Sequence, residues 1–320
     1  MAPPVHITNF CWGRYLNLSS RIPINTLSKR GKLNSLQKRK LVSWLFLLPS
    51  FLGVMLFFVA PFGVVIYYSL INNPIQKEFV GLANYVNVWK NAAFQQAAHN
   101  TLVFSFLAVP LAVILSLFLA AVMESRIPFK SYFRTFFLSP LMVPTASVVL
   151  IWQVCFHYNG IVNNFMIFFG KDKIDWLKSD KAAVVIIALF LWKNLGYNMI
   201  LFMAALASVP KDLLEVAALE NANKWQVFWI VKVRYLSSTI LFVAIMSLIS
   251  SFKVFREVYL MSGDYPYSTL YILQHFMNNT FASLDYQKLS SAAIIMFIVV
   301  TILVYAMYAV ENFFGKDVEG

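Results

Sequence analysis

Residues 182–236 read AAVVIIALFLWKNLGYNMILFMAALASVPKDLLEVAALENANKWQVFWIVKVRYL, and the change of pattern inside this stretch decides the fold class. The first part, 182–207, is apolar on every face and is interrupted by a single charge, Lys193. About 20 such residues cross the hydrocarbon core of a bilayer as a helix. The second part, 208–236, sets charged and apolar residues at helical spacing, as a helix lying at a membrane surface does.

Working outward, the same apolar signature recurs. Residues 41–71 carry no charge, too long a run for a signal-peptide core, and no small-residue cleavage site follows. Further spans are expected over 101–123, from near Thr135 to near Tyr158, over 235–260 and over 289–310. The expected fold is all-α: a polytopic membrane protein of about six transmembrane helices over 41–314, with a basic, mostly disordered tail over 1–40 and a short end over 315–320. Residues 35–43 suit a short interfacial helix with a basic face.

Composition agrees. Hydrophobic residues make up 60% of the 320, charged residues 12%, and the mean hydropathy is +0.68. Soluble domains carry about 25% charged residues, so lipid must cover much of this surface. The net charge of +12 does not mark a nucleic-acid binder, because Lys and Arg sit in short segments between apolar runs. Basic residues crowd the segment before span one, Arg126, Lys130 and Arg134 follow span two, and Lys211, Lys224, Lys232 and Arg234 follow span four. The alternate segments are poorer in net positive charge, which puts both termini in the cytoplasm. Cys11 and Cys155 give no disulfide framework, and the four scattered histidines give no metal-ligand spacing. No catalytic constellation and no cofactor motif is present. Pro49, Pro61, Pro110, Pro140 and Pro144 lie in or beside spans. Membrane helices tolerate proline where neighbours satisfy the freed backbone groups, and five together favour irregular helices around a cavity.

The 208–236 segment reads as helix, turn, helix. Pro210 suits a first turn, and Asp212 complements the positive end of the helix dipole. Leu213, Leu214, Ala217 and Ala218 form an apolar stripe, and Asn221 tolerates the left-handed conformation that ends a helix. Trp225, Phe228 and Trp229 then suit a second, interfacial helix. A short helix with a small-residue face fits a groove in a partner protein.

This segment resembles the EAA loop of permease subunits from bacterial binding-protein-dependent ABC importers, in the branch of the maltose, lactose and glycerol-phosphate permeases. Glu215 stands at the motif Glu, Val216 and Ala217 at the two Ala positions, Asn221 at the Gly and Arg234 at the usual Pro. Also similar to the family are Val80-Gly81-Leu82-Ala83-Asn84-Tyr85, Asn100-Thr101, Phe133-Arg134-Thr135, Asp175-Trp176-Leu177, Trp192-Lys193-Asn194-Leu195-Gly196-Tyr197 and Ser262-Gly263-Asp264-Tyr265-Pro266. The resemblance implies carbohydrate import across a bacterial plasma membrane. It implies three partners: an ATP-binding subunit, a second permease subunit, and an extracytoplasmic solute-binding protein. Leu213, Leu214, Glu215, Ala217, Ala218 and Asn221 would meet the ATPase. The chain has no GxxxxGK[ST] phosphate loop, so energy must come from a partner.

Ionisable residues inside a membrane are functional candidates by default. Gln153, Lys193, Asn194, Asn198, Lys253 and Arg256 are expected to line the passage, and Lys253 and Glu257 are spaced to pair at i, i+4. For Lys253 and Arg256 a second reading stays open, in which they snorkel to headgroups near the end of span five. If both cations face the passage, an acid-bearing saccharide suits it better than a neutral one. An ion-coupled secondary carrier is the alternative reading; it calls for paired acids within spans, and Glu257 is the sole acid there.

Overall fold

The structure, a computed structural model, describes residues 27–124 and 128–315. The chain divides into two compact units, Met1–Phe62 and Gly63–Gly320. Among the described residues, six helical segments are long and apolar enough to cross a membrane: Val42–Ser69, Ala92–Glu124, Thr145–Phe168, Ala182–Ala207, Ser237–Ser262 and Tyr286–Asn312.

In the first unit the helix Leu27–Val54 begins well inside the tail whose composition predicts disorder, and it takes in the helix expected over 35–43. Straight-chain Lys, Arg, Leu and Gln lose little rotamer freedom in a helix, and no proline interrupts them before Pro49. The expectation of disorder over 1–26, and the short end over 316–320, lie outside the described residues. A π-turn, Met55–Val59, precedes Pro61 and widens the helix where the proline removes a backbone bond.

The second unit is organised on spans two and four. Ala97, Ala108, Ala112 and Ala120 of span two are fully buried, and small residues of this kind let membrane helices approach closely. One cluster joins Phe104, Ala108 and Ala112 to Val148, Ile186, Leu189 and Val258. A second, toward the 208–236 segment, joins Ala120 to Met199, Phe202, Leu206, Val209 and Leu236. At the other end, Asn100 donates to the carbonyls of Ser268 and Tyr271 (2.7 and 2.9 Å), and the Leu273 N–H donates to Thr101 Oγ1 (2.9 Å). The segment between spans five and six is thereby stapled to span two.

Two spans differ from the sequence reading. Span three does not start near Thr135. A separate helix, Lys130–Met142, ends at extended Val143 (φ −90°, ψ 130°), and the span opens at Thr145. Pro144 explains this, since the residue before a proline is driven out of the helical region. The Lys130–Met142 helix presses against span four at Gly196, where an added Cβ would lie 1.8 Å from the Phe137 carbonyl oxygen. Only glycine permits that approach. Span five is also broken, with Ser237–Phe252 separated from Phe255–Ser262 by Lys253 and Val254.

Candidate functional site

The 208–236 segment folds as two helices joined by a closed turn. Pro210 takes the N-cap position of Lys211–Leu219, one residue ahead of the first turn that contains Asp212. Asn221 has φ +54°, the left-handed conformation expected of it. The Ala222 N–H donates to the Ala217 carbonyl (3.0 Å) and the Asn221 N–H to the Ala218 carbonyl (3.1 Å), the pair of bonds that closes a Schellman turn. Asn223 and Gln226 then exchange side-chain-to-backbone bonds, both 2.9 Å, and cap the next helix reciprocally. That helix carries Trp225, Phe228 and Trp229, whose rings meet edge to face. Lys232 Nζ lies 2.6 Å from Glu124 Oε1 and ties this second helix to the end of span two.

The expected coupling residues divide between two faces. Leu214 packs on the cluster with Leu206, Val209 and Leu236, and Ala217 is buried. Leu213, Glu215, Ala218 and Asn221 are exposed. Val216, at a motif Ala position but not among the expected coupling residues, and Leu219 form with Leu213 an exposed apolar row at i, i+3 and i+6. Leu219 is 87% exposed. The helix therefore has one face held by the bundle and an opposite face, apolar and acidic, that the described residues leave uncovered.

The second site lies within the spans. Lys193 is the twelfth of the 26 residues of Ala182–Ala207 and forms an ion pair with Glu257 of the Phe255–Ser262 half-helix. Placing Lys at the centre of a membrane helix costs about 2.5–3.5 kcal/mol on insertion scales, so pairing is expected there. The i, i+4 pair expected between Lys253 and Glu257 does not form. The helix is interrupted between them, which turns Glu257 toward span four.

Lys193, Asn194, Ser250, Lys253 and Glu257 line one cavity of about 180 Å³. Asn194 donates to the Phe190 carbonyl (2.8 Å). Asn198, one turn away, is buried and donates to Ser247 Oγ (2.9 Å), so it joins spans four and five instead of lining the cavity. Gln153 donates to the Met261 carbonyl (2.8 Å), satisfying a C-terminal group of the half-helix, and borders a separate polar cavity of about 570 Å³ with His157, Asn159 and Asn164. Arg256 is exposed on the half-helix, beside Glu257 in sequence. The structure thus gathers three of the six expected passage residues and adds Ser250 and Glu257.

The model of the family described as "binding-protein-dependent transport system inner membrane component" matches residues 108–312, taking in the helix–turn–helix segment and both halves of span five. This chain belongs to that family. The lactose transport system permease protein LacF of Rhizobium radiobacter is 29% identical over 265 residues, 80% of this chain and 88% of the relative. The sn-glycerol-3-phosphate transport system permease protein UgpA of Pectobacterium atrosepticum is 27% identical over 267 residues, 81% and 90% of the two chains. A solved bacterial ABC transporter involved in the import of the acidic polysaccharide alginate has the same fold, with a TM-score of 0.76 at 19% identity over 88% of this chain and 98% of that one.

As an inner membrane component of such a system, the chain is a multi-pass membrane protein. One departure from the family's loop pattern costs little in geometry. Asn221 holds the turn that glycine usually makes, since Asn is among the few other residues that visit the left-handed region routinely. No residue spacing points to the Lys193–Glu257 pair. Its partners are 64 positions apart, and the sole hint is that each is a charge within an apolar span.

Proposed function

We propose that this protein is one permease half of an ABC importer for a carbohydrate, with both termini cytoplasmic and an ATP-binding subunit seated on the helix Lys211–Leu219. The uncovered face of that helix carries the reading. Leu213, Val216 and Leu219 offer an apolar row, and Glu215 adds a charge that suits a basic or polar partner group. A second permease completes the passage, and a solute-binding protein delivers sugar to the outer side.

Motion imposed on the helix has a route into the bundle. Leu214 is seated among Leu206, Val209 and Leu236, and the Lys232–Glu124 pair links the second loop helix to span two. A packed interface has discrete arrangements and does not deform continuously, so closure of the ATPase shifts spans as bodies. The names of the relatives favour a carbohydrate or carbohydrate phosphate as solute. Copurification tests the assignment. Glu215→Arg or Asn221→Pro is expected to lose the ATPase and abolish uptake while the chain remains in the membrane. Uptake intact with the ATPase still bound would exclude docking at this helix.

A further inference from the structure

The mid-span charges have a depth as well as a count. Lys193 sits near the midpoint of span four, about 2 Å along the helix axis from its centre at a rise of about 1.5 Å per residue. Glu257 pairs with it, so the break in span five is held at the same depth. Lys253 lines the same cavity, and Arg256 is adjacent to Glu257. Along span five, Lys253 lies about 5 Å and Arg256 about 10 Å from the centre of Ser237–Ser262. Headgroups begin about 15 Å from the midplane, out of reach for Lys253 but within reach of the Arg256 side chain, which snorkels.

The charges do not balance. Glu257 neutralises Lys193, while Lys253 and Arg256 have no acid within ion-pair distance among the described residues. Charges at this depth do not face lipid; they pair, or they face a water-filled passage. The cavity is smaller than the roughly 300–1,000 Å³ of a site enclosing a whole ligand, so it suits one group of a larger solute. Its lining offers the free Lys253 ammonium, the Lys193 ammonium shared with the Glu257 carboxylate, and the Ser250 hydroxyl, donors that match an oxyanion.

We propose that Lys193 and Lys253, with Ser250, form an anion subsite at the break in span five, which takes the acid group, carboxylate or phosphate, of the saccharide in transit. The solute is then anionic. Glu257 holds Lys193 in place and screens part of its charge, so the acid group meets a cluster that is attractive without binding so tightly that it cannot leave.

The inference rests on the importer assignment, and the two fail in different ways. The test uses the full chain assembled with its second permease, ATPase and binding protein in proteoliposomes, supplied with labelled trigalacturonate, glucose 6-phosphate or maltotriose. Uptake of a charged probe in preference to maltotriose is expected, and which one moves separates carboxylate from phosphate. Lys253→Gln is expected to lower that uptake at least tenfold. Lys253→Arg conserves charge and should retain most of it, which separates charge from a folding defect. Preference for maltotriose, uptake of none of the three, or charged uptake unchanged in Lys253→Gln overturns the anion subsite and leaves the importer assignment standing. Absence of ATP-driven assembly with any ATPase overturns the assignment itself.

Discussion

Two short helices do different work in this chain. Lys211–Leu219 is closed by its own neighbours: the Schellman bonds at Ala217 and Ala218, and the reciprocal cap of Asn223 and Gln226. Phe255–Ser262 is held from far away in sequence, by Lys193 at 64 residues' separation and by Gln153 at 108. The first forms a self-contained tooth on the bundle. The second is half of a broken span, fixed only once spans three and four are in place. A locally built element keeps its shape while a partner pushes on it, whereas a remotely braced one is reshaped by whatever moves its braces.

The largest predicted effect strikes the remote brace. Glu257→Leu leaves half-buried Lys193 without its partner at mid-span, and breaking a fully buried pair would cost about 3–5 kcal/mol, an upper bound here. Thermal unfolding of the purified chain should show a marked loss, and adding Lys193→Met should recover most of it. If the double variant is no better than the single one, the pair does not hold the half-helix.

A second brace responds to pH. His275, fully buried, packs edge-on against Phe255 at 4.7 Å between ring centres and lies beside Tyr271. Burial pushes its pKa down from 6.5 to about 4, against an opposing pull from Asp264. The folded state therefore prefers the neutral ring. Its contribution is fully present above about pH 6.5 and is lost as pH falls toward 4. The melting temperature should drop by several degrees across that window, and His275→Gln should flatten the drop.

Changes at the local tooth should be smaller. Asn221→Gly relieves a left-handed residue and is expected to stabilise the turn by up to about 1 kcal/mol, read as slower hydrogen exchange at the Ala222 amide. Lys232→Ala removes a partly exposed ion pair worth under about 1 kcal/mol, and its effect should shrink further in high salt. A loss at Lys232 as large as that at Glu257 would erase the distinction between the two helices.

The same distinction governs what can be read from sequence. The spans are legible because hydropathy is a local average, and the Asn221 turn is legible because left-handed backbone selects Asn or Gly. Pro144 also signals its break in principle, yet charge-free sequence on both sides of it hides where span three begins. The break at Lys253 and Val254 has no proline or glycine to announce it. The pairing of Glu257 with Lys193 instead of Lys253 follows from that break, and so it emerges only with the packing of spans four and five. Gly196 likewise shows its purpose once the Lys130–Met142 helix crosses it.

The most direct test of the account places a photo-crosslinking side chain at position 219, the most exposed point of the apolar row, in the full chain within native membranes. On irradiation one dominant product joining this chain to an ATP-binding subunit is expected, lost when Asn221→Pro breaks the turn. Crosslinks to lipid alone, with an ATPase still copurifying, would contradict it.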